Sequence, residues 1–149
     1  MVIDRKIKSK LILIASDHAG FKLKEEIKEL LFKKSKKVLD LGTKHKNSVD
    51  YPDYAHLLSK KMKKNNNQFG ILICGSGIGM VMTANKHKNI RAALCYNIKT
   101  AKLSRQHNNA NVMTLGARLT KKNTALKCVK TFLETNFEGG RHIKRVKKI

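Results

Sequence analysis

The stretch Phe69-Gly-Ile-Leu-Ile-Cys-Gly-Ser-Gly-Ile-Gly79 decides the fold of this 149-residue chain. Its apolar first half, residues 69–73, predicts a strand that is buried on both faces. The strand ends at Cys74, and glycine then occupies every second position of a turn. The apolar residues within 78–84 fit a helix that begins at this turn. Strand, glycine turn and helix together point several backbone N–H groups into one crevice, so the stretch predicts a ligand site.

Strands and helices are predicted to alternate along the whole chain. Short apolar runs predict the strands, which cover residues 11–16, 38–41, 69–74, 90–95 and 111–115. The segments between them carry apolar residues at helical spacing. This alternation predicts the α/β class, with a Rossmann-like three-layer sandwich around a doubly wound, parallel, five-stranded sheet. Ligands of such sheets bind where the carboxyl ends of the strands open into loops.

Two of the predicted helices carry specific boundary signals. Pro52 stands where a helix can begin, because its missing N–H costs nothing in the first turn. Thr120 is the expected N-cap of the last helix, and Gly139-Gly140 is its expected end. Residues 138–149 then form a basic C-terminal tail.

A single domain is expected to cover residues 1–149, because this length suffices for one substantial core. The hydrophobic fraction of 41% is typical of a soluble globular protein. No apolar run approaches the ~20 residues that span a bilayer. The run at residues 11–15 is too short for a signal-peptide core, so we expect a cytoplasmic protein. Residues 1–10 are interpreted as a basic N-terminal extension.

The formal net charge of +23 leaves two interpretations open. The charge could serve binding to nucleic acid or to an anionic surface. It could equally be a dispersed excess of lysine on solvated helix ends and loops, as in residues 33–37 and 60–64. Lysine far outnumbers arginine, whereas nucleic-acid readout surfaces combine arginine with aromatic residues. The composition therefore favours the second interpretation, although the charge should still steer anionic substrates.

Cysteine and histidine spacing predicts neither a metal nor a cofactor. The three cysteines, Cys74, Cys95 and Cys128, show no CxxC pattern, and the six histidines form no HExxH motif. The glycine turn follows the third strand with GxGxG spacing, which differs from a dinucleotide fingerprint. It also lacks the Lys-Ser/Thr pair of a P-loop.

Cys74 is the strongest candidate for chemistry. A cysteine at the end of a strand is commonly a core residue. Here the helix that follows the turn would stabilise a thiolate, which is the form that acts as a base or a nucleophile. Ser76 places a hydroxyl in the same turn.

The other candidates each have a structural alternative. Asp17 and His18 follow the first strand, where Asp can simply cap a helix. His107 stands near the end of a predicted helix, where a histidine complements the helix dipole. Arg141 and Arg145 can face one anion if the tail is helical, or can belong to a solvated basic tail.

A series of ordered motifs runs from residue 12 to residue 146. The motifs are Ser16-Asp-His-Ala-Gly-Phe21, Asp50-Tyr-Pro-Asp-Tyr-Ala55, Ile71-Leu-Ile-Cys-Gly-Ser-Gly-Ile-Gly79, Ala84-Asn-Lys86, Leu103-Ser-Arg-Gln-His-Asn108, Gly116-Ala-Arg118 and Glu138-Gly-Gly-Arg-His-Ile-Lys-Arg-Val146. Together they resemble the ribose/galactose-6-phosphate isomerase family, and within it the type B ribose-5-phosphate isomerases.

The resemblance implies a metal-free aldose–ketose isomerase of the non-oxidative pentose phosphate pathway. Such an enzyme interconverts D-ribose 5-phosphate and D-ribulose 5-phosphate through a cis-enediolate. Cys74 aligns with the family's base, and Ser76 retains a catalytic hydroxyl. Some members use a glutamate further along the turn, but residues 78–80 contain no carboxylate, which favours Cys74.

The resemblance also assigns the remaining residues of the site. His107 is the acid that opens the sugar ring, and Asn108 holds the enediolate. The enediolate oxygens also accept hydrogen bonds from backbone N–H groups of the turn, at Gly75, Gly77, Ile78 and Gly79. Asp17 orients sugar hydroxyls, and Tyr51 lines the site. The phosphate is held by His18, Arg118, Arg141 and Arg145, since guanidinium groups suit a dianion.

The family is built on a homodimer, or a dimer of such dimers, with active sites at the interface. The resemblance thus implies that His107 and the tail residues 138–149 reach the partner's site. Two alternatives stay open: an isomerase of a six-carbon sugar phosphate such as allose 6-phosphate or galactose 6-phosphate, and, more distantly, a nucleic-acid-binding module. The leading interpretation predicts a small sugar phosphate as the ligand, with no membrane and no specific nucleic acid as partner.

Overall fold

The computed structural model describes residues 10–64 and 67–149. The predicted N-terminal extension therefore lies, except for Lys10, outside the described residues. In the two described ranges, no helix is long and apolar enough to cross a membrane.

The sheet has five parallel strands, as predicted. They are β1 (Leu11–Ser16), β2 (Val38–Asp40), β3 (Gln68–Cys74), β4 (Ala92–Leu94) and β5 (Val112–Gly116). The strand order is β2-β1-β3-β5-β4, which places β3 at the centre. The edge strands β2 and β4 are shorter than the predicted runs 38–41 and 90–95. Each has one neighbour: β2 pairs with β1 only as far as Ile14, and β4 pairs with β5 only as far as Thr114.

The first five helices lie in two layers against this sheet, and the sixth packs on a 3₁₀ turn of the tail. They are α1 (Phe21–Lys33), α2 (Tyr51–Lys61), α3 (Ile78–Ala84), α4 (Ile98–Asn108), α5 (Lys122–Glu134) and α6 (Ile143–Val146), with a 3₁₀ turn at Gly140–His142. Because successive strand residues face opposite sides, Ile71 and Ile73 pack with α1 and α5, whereas Leu72 and Cys74 pack with α2 and α3. The predicted α/β three-layer sandwich is confirmed.

The two predictions for the ends of α5 are wrong. Lys121, and not Thr120, is the N-cap residue. The helix ends at Glu134, because Thr135 already has an extended backbone. Gly139 and Gly140 instead have φ of +68° and +54°, and they lead into the 3₁₀ turn that carries Arg141. The glycines therefore mark the start of the tail's own structure. By contrast, Pro52 does lie in the first turn of α2, as expected.

Candidate active site

Cys74 is the last residue of the central strand, and its thiol reaches the glycine turn. The residue is only 4% exposed. The backbone N–H of Gly77 donates a hydrogen bond to the Cys74 sulfur at 3.1 Å. Such a donor stabilises negative charge on sulfur, because it presents a partial positive charge to it. The thiol is thus placed as a base would need it.

The glycine turn is held in one conformation by its own side chains and by β5. Gly77 has a left-handed backbone with φ of +79°, which favours glycine. The Ser76 hydroxyl oxygen accepts the N–H of Ile78 at 3.2 Å, and Thr114 donates its hydroxyl to the Gly77 carbonyl at 2.9 Å. Two of the predicted enediolate donors, the N–H groups of Gly77 and Ile78, are therefore engaged by side chains in this state.

Close packing around the turn explains why position 116 is a glycine. A Cβ on Gly116 would lie 2.5 Å from the carbonyl oxygen of Ser76. Gly116 also stands beside Cys74 in the register of β3 and β5. A side chain at position 116 would therefore push the turn away from the thiol.

Asp17 and His18 lie at the carboxyl end of β1, next to the turn. The Asp17 carboxylate accepts the N–H of Gly20 at 3.0 Å and so closes the turn before α1, but the N-cap residue of that helix is Gly20 and not Asp17. The Asp17 side chain also lines the cleft described below, so the structural role does not exclude the predicted one. His18 accepts the Val49 N–H on its Nδ1 at 3.2 Å. This bond leaves Nε2 of the neutral ring as the donor toward a ligand.

A cleft of about 560 Å³ opens over the glycine turn. It brings together most of the residues predicted around the thiol, which are Asp17, Tyr51, Cys74, Gly75, Ser76, Ile78, Gly79 and Arg118. Arg118 lies against Gly75, since a Cβ there would be 3.3 Å from the Arg118 Nη1. The cleft therefore combines a thiol, a hydroxyl and a guanidinium group at the carboxyl edge of the sheet, where α/β proteins bind ligands.

Met82 and Leu119 form an apolar lip on the same cleft, and sequence reasoning missed both as site residues. They are 66% and 73% exposed, which is unusual for side chains of their size. A signal did exist for Met82, because it lies one helical turn after Ile78 on α3. Leu119 was indicated only by its position directly after the Gly116-Ala-Arg118 motif.

Several other predicted residues lie outside this cleft, near the end of α4 and in the tail. His107, near the end of α4, stacks on His142 of the tail with ring centroids 4.4 Å apart. Burial, followed by the nearby His107 and Arg141, lowers the pKa of His142. The charge of Arg145 also lowers the pKa of His142. Arg141 and Arg145 are therefore both part of the electrostatic surroundings of this histidine.

Asn108 lines a different cleft, beside Asn85 and Arg91, of about 650 Å³. His107, Asn108, Arg141 and Arg145 thus lie outside the Cys74 cleft of the same chain. Within one chain the predicted site is divided into two parts.

Arg105 joins the end of α4 to the root of the tail. Its guanidinium group donates to the side chain of Asn109 at 3.0 Å and to the Thr135 carbonyl at 3.2 Å. It lies over the rings of Phe69 and Phe132 at 4.9 and 5.7 Å. Burial lowers the pKa of Arg105 to about 10. The motif Leu103–Asn108 contained this residue, but only the fold shows that it holds the segment bearing His107.

The fold and the cleft define an α/β protein that binds or transforms a small molecule at the carboxyl edge of its sheet. The model of the ribose/galactose isomerase family matches residues 12–149. The chain therefore belongs to that family, as the sequence motifs predicted.

Individual relatives cover nearly the whole chain. The probable ribose-5-phosphate isomerase B of Mycoplasma genitalium is 50% identical over 140 residues, which are 93% of this chain and 92% of that protein. A crystal structure of ribose-5-phosphate isomerase B from the same organism, with bound ribulose-5-phosphate, has a TM-score of 0.91 at 49% identity, covering 94% of this chain and 93% of that one. The ribose 5-phosphate isomerase of Thermotoga maritima gives a TM-score of 0.90 at 49% identity, with 93% and 96% covered.

Proposed function

We propose that this protein interconverts D-ribose 5-phosphate and D-ribulose 5-phosphate by moving a proton between C1 and C2 through a cis-enediolate. The observation that carries the proposal is the Cys74 thiol, which lies in a cleft and accepts a backbone N–H. A base that removes a weakly acidic proton next to a carbonyl must stand beside donors for the oxyanion that develops. A relative with about half its residues identical was crystallised with ribulose-5-phosphate.

In this mechanism Cys74 removes the proton as a thiolate and returns it to the neighbouring carbon. The Ser76 hydroxyl and the backbone N–H groups of residues 75–79 donate hydrogen bonds to the enediolate oxygens. The Gly77 N–H already bonds to the Cys74 sulfur and the Ile78 N–H to the Ser76 hydroxyl, so a substrate oxygen would share these donors with the groups that they now hold. Asp17 and Tyr51 line the cleft for the sugar hydroxyls.

We further propose that two copies of the chain complete each site. Arg118 lies in the thiol cleft, whereas His107, Arg141 and Arg145 lie elsewhere on the chain. In a homodimer these last three residues of one copy would face the cleft of the other, and the apolar lip of Met82 and Leu119 would be covered. His107 would then open the sugar ring, while Arg118, Arg141, Arg145 and His18 would hold the phosphate.

The first test is isomerase activity on ribose 5-phosphate, measured with and without EDTA and beside allose 6-phosphate. We expect turnover of the pentose that survives EDTA. Turnover of the hexose alone would keep the mechanism and change the substrate. Activity on neither sugar would reject the proposed function.

The second test changes the base. Cys74→Ala should lower kcat by about 10²- to 10⁴-fold, the range of general base catalysis. Cys128→Ala is the matched control, because Cys128 is a fully buried thiol on α5, on the opposite face of the sheet. Near-normal kcat in the Cys74 variant would remove this thiol from the mechanism.

A further inference from the structure

Three side chains with metal-binding atoms come together where the tail meets α4. They are His107, Glu138 and His142, and one ligand atom from each lies within 4.8 Å of the others. Over residues 10–64 and 67–149, no other group of three histidine, cysteine or acidic side chains has this closeness. Sequence spacing did not show the cluster, because His107 and Glu138 are far apart in the chain.

The ring of His142 supplies a second, independent observation. His142 is only 6% exposed, and its Nε2 has no hydrogen-bond partner among the described residues. This nitrogen lies 3.6 Å from the Glu138 carboxylate, beyond hydrogen-bond distance. Leaving a buried polar atom unpaired is unfavourable, so such an atom calls for an explanation.

We propose that His107, Glu138 and His142 form a binding site for zinc or a similar divalent transition metal, and that the bound ion inhibits the enzyme. Two imidazoles and one carboxylate are a donor set that zinc accepts, with the fourth position left to water. A ligand pair on zinc is about 3.3 Å apart, from metal–ligand distances of roughly 2.0–2.1 Å. The donors must therefore close in from their present separation.

The local structure allows this closure. The Glu138 side chain is 49% exposed, and two glycines with positive φ, Gly139 and Gly140, lie between Glu138 and His142 in the chain. The exposed Glu138 carboxylate can thus move toward the two rings. Arg141 and Arg145 oppose a cation here through their charge, which lowers the affinity relative to an isolated site of this type.

Inhibition follows from the role proposed for His107, and this part rests on the proposed function. A histidine whose ring nitrogen binds a metal cannot exchange a proton with a sugar oxygen. The binding part of the inference does not depend on the reaction.

Zinc binding is measured directly, by competition with a chromogenic chelator. All binding measurements use the Cys74→Ser protein, because this change removes the cleft thiol as a second zinc ligand. We expect one ion per chain. Glu138→Gln should weaken binding at least about 10-fold, since even outer-shell partners of a metal contribute that much. Glu134→Gln, an exposed acid at the end of α5, is the matched control and should bind as the parent does.

A second control addresses another pair of histidines. His56 and His87 share a 2.8 Å contact between ring nitrogens and could themselves attract zinc. His56→Gln should leave the affinity unchanged. Equal binding by the parent and the Glu138→Gln protein would overturn the inference, and so would loss of binding in His56→Gln. The absence of any binding would also overturn it.

The inhibitory part is tested on the protein with native Cys74. Zinc should inhibit turnover of ribose 5-phosphate, EDTA should reverse the inhibition, and Glu138→Gln should need at least about 10-fold more zinc. Unchanged zinc sensitivity in Glu138→Gln would overturn inhibition through this site. Zinc binding at the cluster in a protein without isomerase activity would reject the proposed function while the metal site stands.

Discussion

The two parts of the predicted site are built in different ways. Around Cys74, backbone groups and glycines define the geometry, and a Cβ at position 116 would meet the turn at 2.5 Å. Around His142, the groups are side chains from α4 and the tail, and a Cβ on Gly140 would meet nothing within 4 Å. The first part is therefore rigid in a single chain. The second contains the buried ring of His142 but has open space at Gly140, as expected of a surface that another molecule completes.

The strongest test of this comparison is to inactivate each part by a mutation in a separate copy of the chain. Cys74→Ala and His107→Asn proteins should each have little activity alone. After they are unfolded and refolded together, half of the proposed homodimers would be mixed and would carry one intact site each, so about a quarter of the normal activity should return.

The measurement is ribose 5-phosphate turnover before and after mixing, with each variant refolded alone as the control. If no activity returned in a preparation shown to contain mixed dimers, both parts would have to come from the same chain.

Gly116→Ala tests the rigid part alone. The new methyl group would displace Ser76 and the turn relative to Cys74, and a misplacement of about 1 Å can lower a rate by roughly 10²-fold. We expect kcat to fall by about that factor while the protein remains folded by circular dichroism.

Gly70→Ala is the matched control, because a Cβ on Gly70 is also crowded, 2.8 Å from the Leu58 side chain, but lies on β3 away from the turn. It should affect kcat far less than Gly116→Ala. Similar kcat values for the two variants would show that tight packing of the turn is unimportant for the reaction.

Arg141→Ala tests the open part. A charge-assisted hydrogen bond contributes about 1.5–3 kcal/mol, so its loss should raise KM for ribose 5-phosphate by roughly 10- to 100-fold. Lys144→Ala, an exposed cation of the same tail, should change KM little. An unchanged KM in Arg141→Ala would show that the tail does not hold the phosphate.

The smallest expected effect concerns an ion pair, Lys24–Asp40, that is remote from both parts of the predicted site. Lys24 is fully buried and donates to Asp40 at 2.7 Å. Burial of the Asp40 carboxyl acts to raise its pKa, but hydrogen bonds from Lys24 and Lys28 outweigh it, and the pKa is lowered from 3.8. A lowered carboxyl pKa stabilises the fold above the unfolded-state value, and this stability is lost as pH falls below about 3.8.

Asp40→Asn should therefore reduce stability at neutral pH by about 1–3 kcal/mol and weaken the fall in stability below pH 4. Glu29→Gln is the control, because the Glu29–Lys33 pair is exposed and solvent screening leaves it little effect on stability. Thermal unfolding from pH 3 to pH 7 measures both, with isomerase activity at neutral pH expected to be retained. A parallel pH profile for the Asp40→Asn and parent proteins would contradict the assignment.

The residues near Cys74 could be predicted because their arrangement is local. Strand, turn and helix are consecutive, and the geometry that orients the Gly77 N–H toward the thiol spans a few residues. The predictions for Thr120 and for Gly139-Gly140 were wrong because tertiary packing, and not the preference of the local residues, sets the ends of α5. A cap or a glycine signals a boundary, but the end of α5 depends on where the chain leaves the sheet.

The sequence by itself determined the alternation of strands and helices, the thiol at the end of the central strand, and the family to which the chain belongs. These rest on periodicity and on motifs of neighbouring residues. Only the tertiary structure decided that Arg105 ties α4 to Thr135, that His107 stacks on His142, and that the predicted site lies in two places. Such contacts join residues that are distant along the chain, and the packing of helices on a twisted sheet sets their distances.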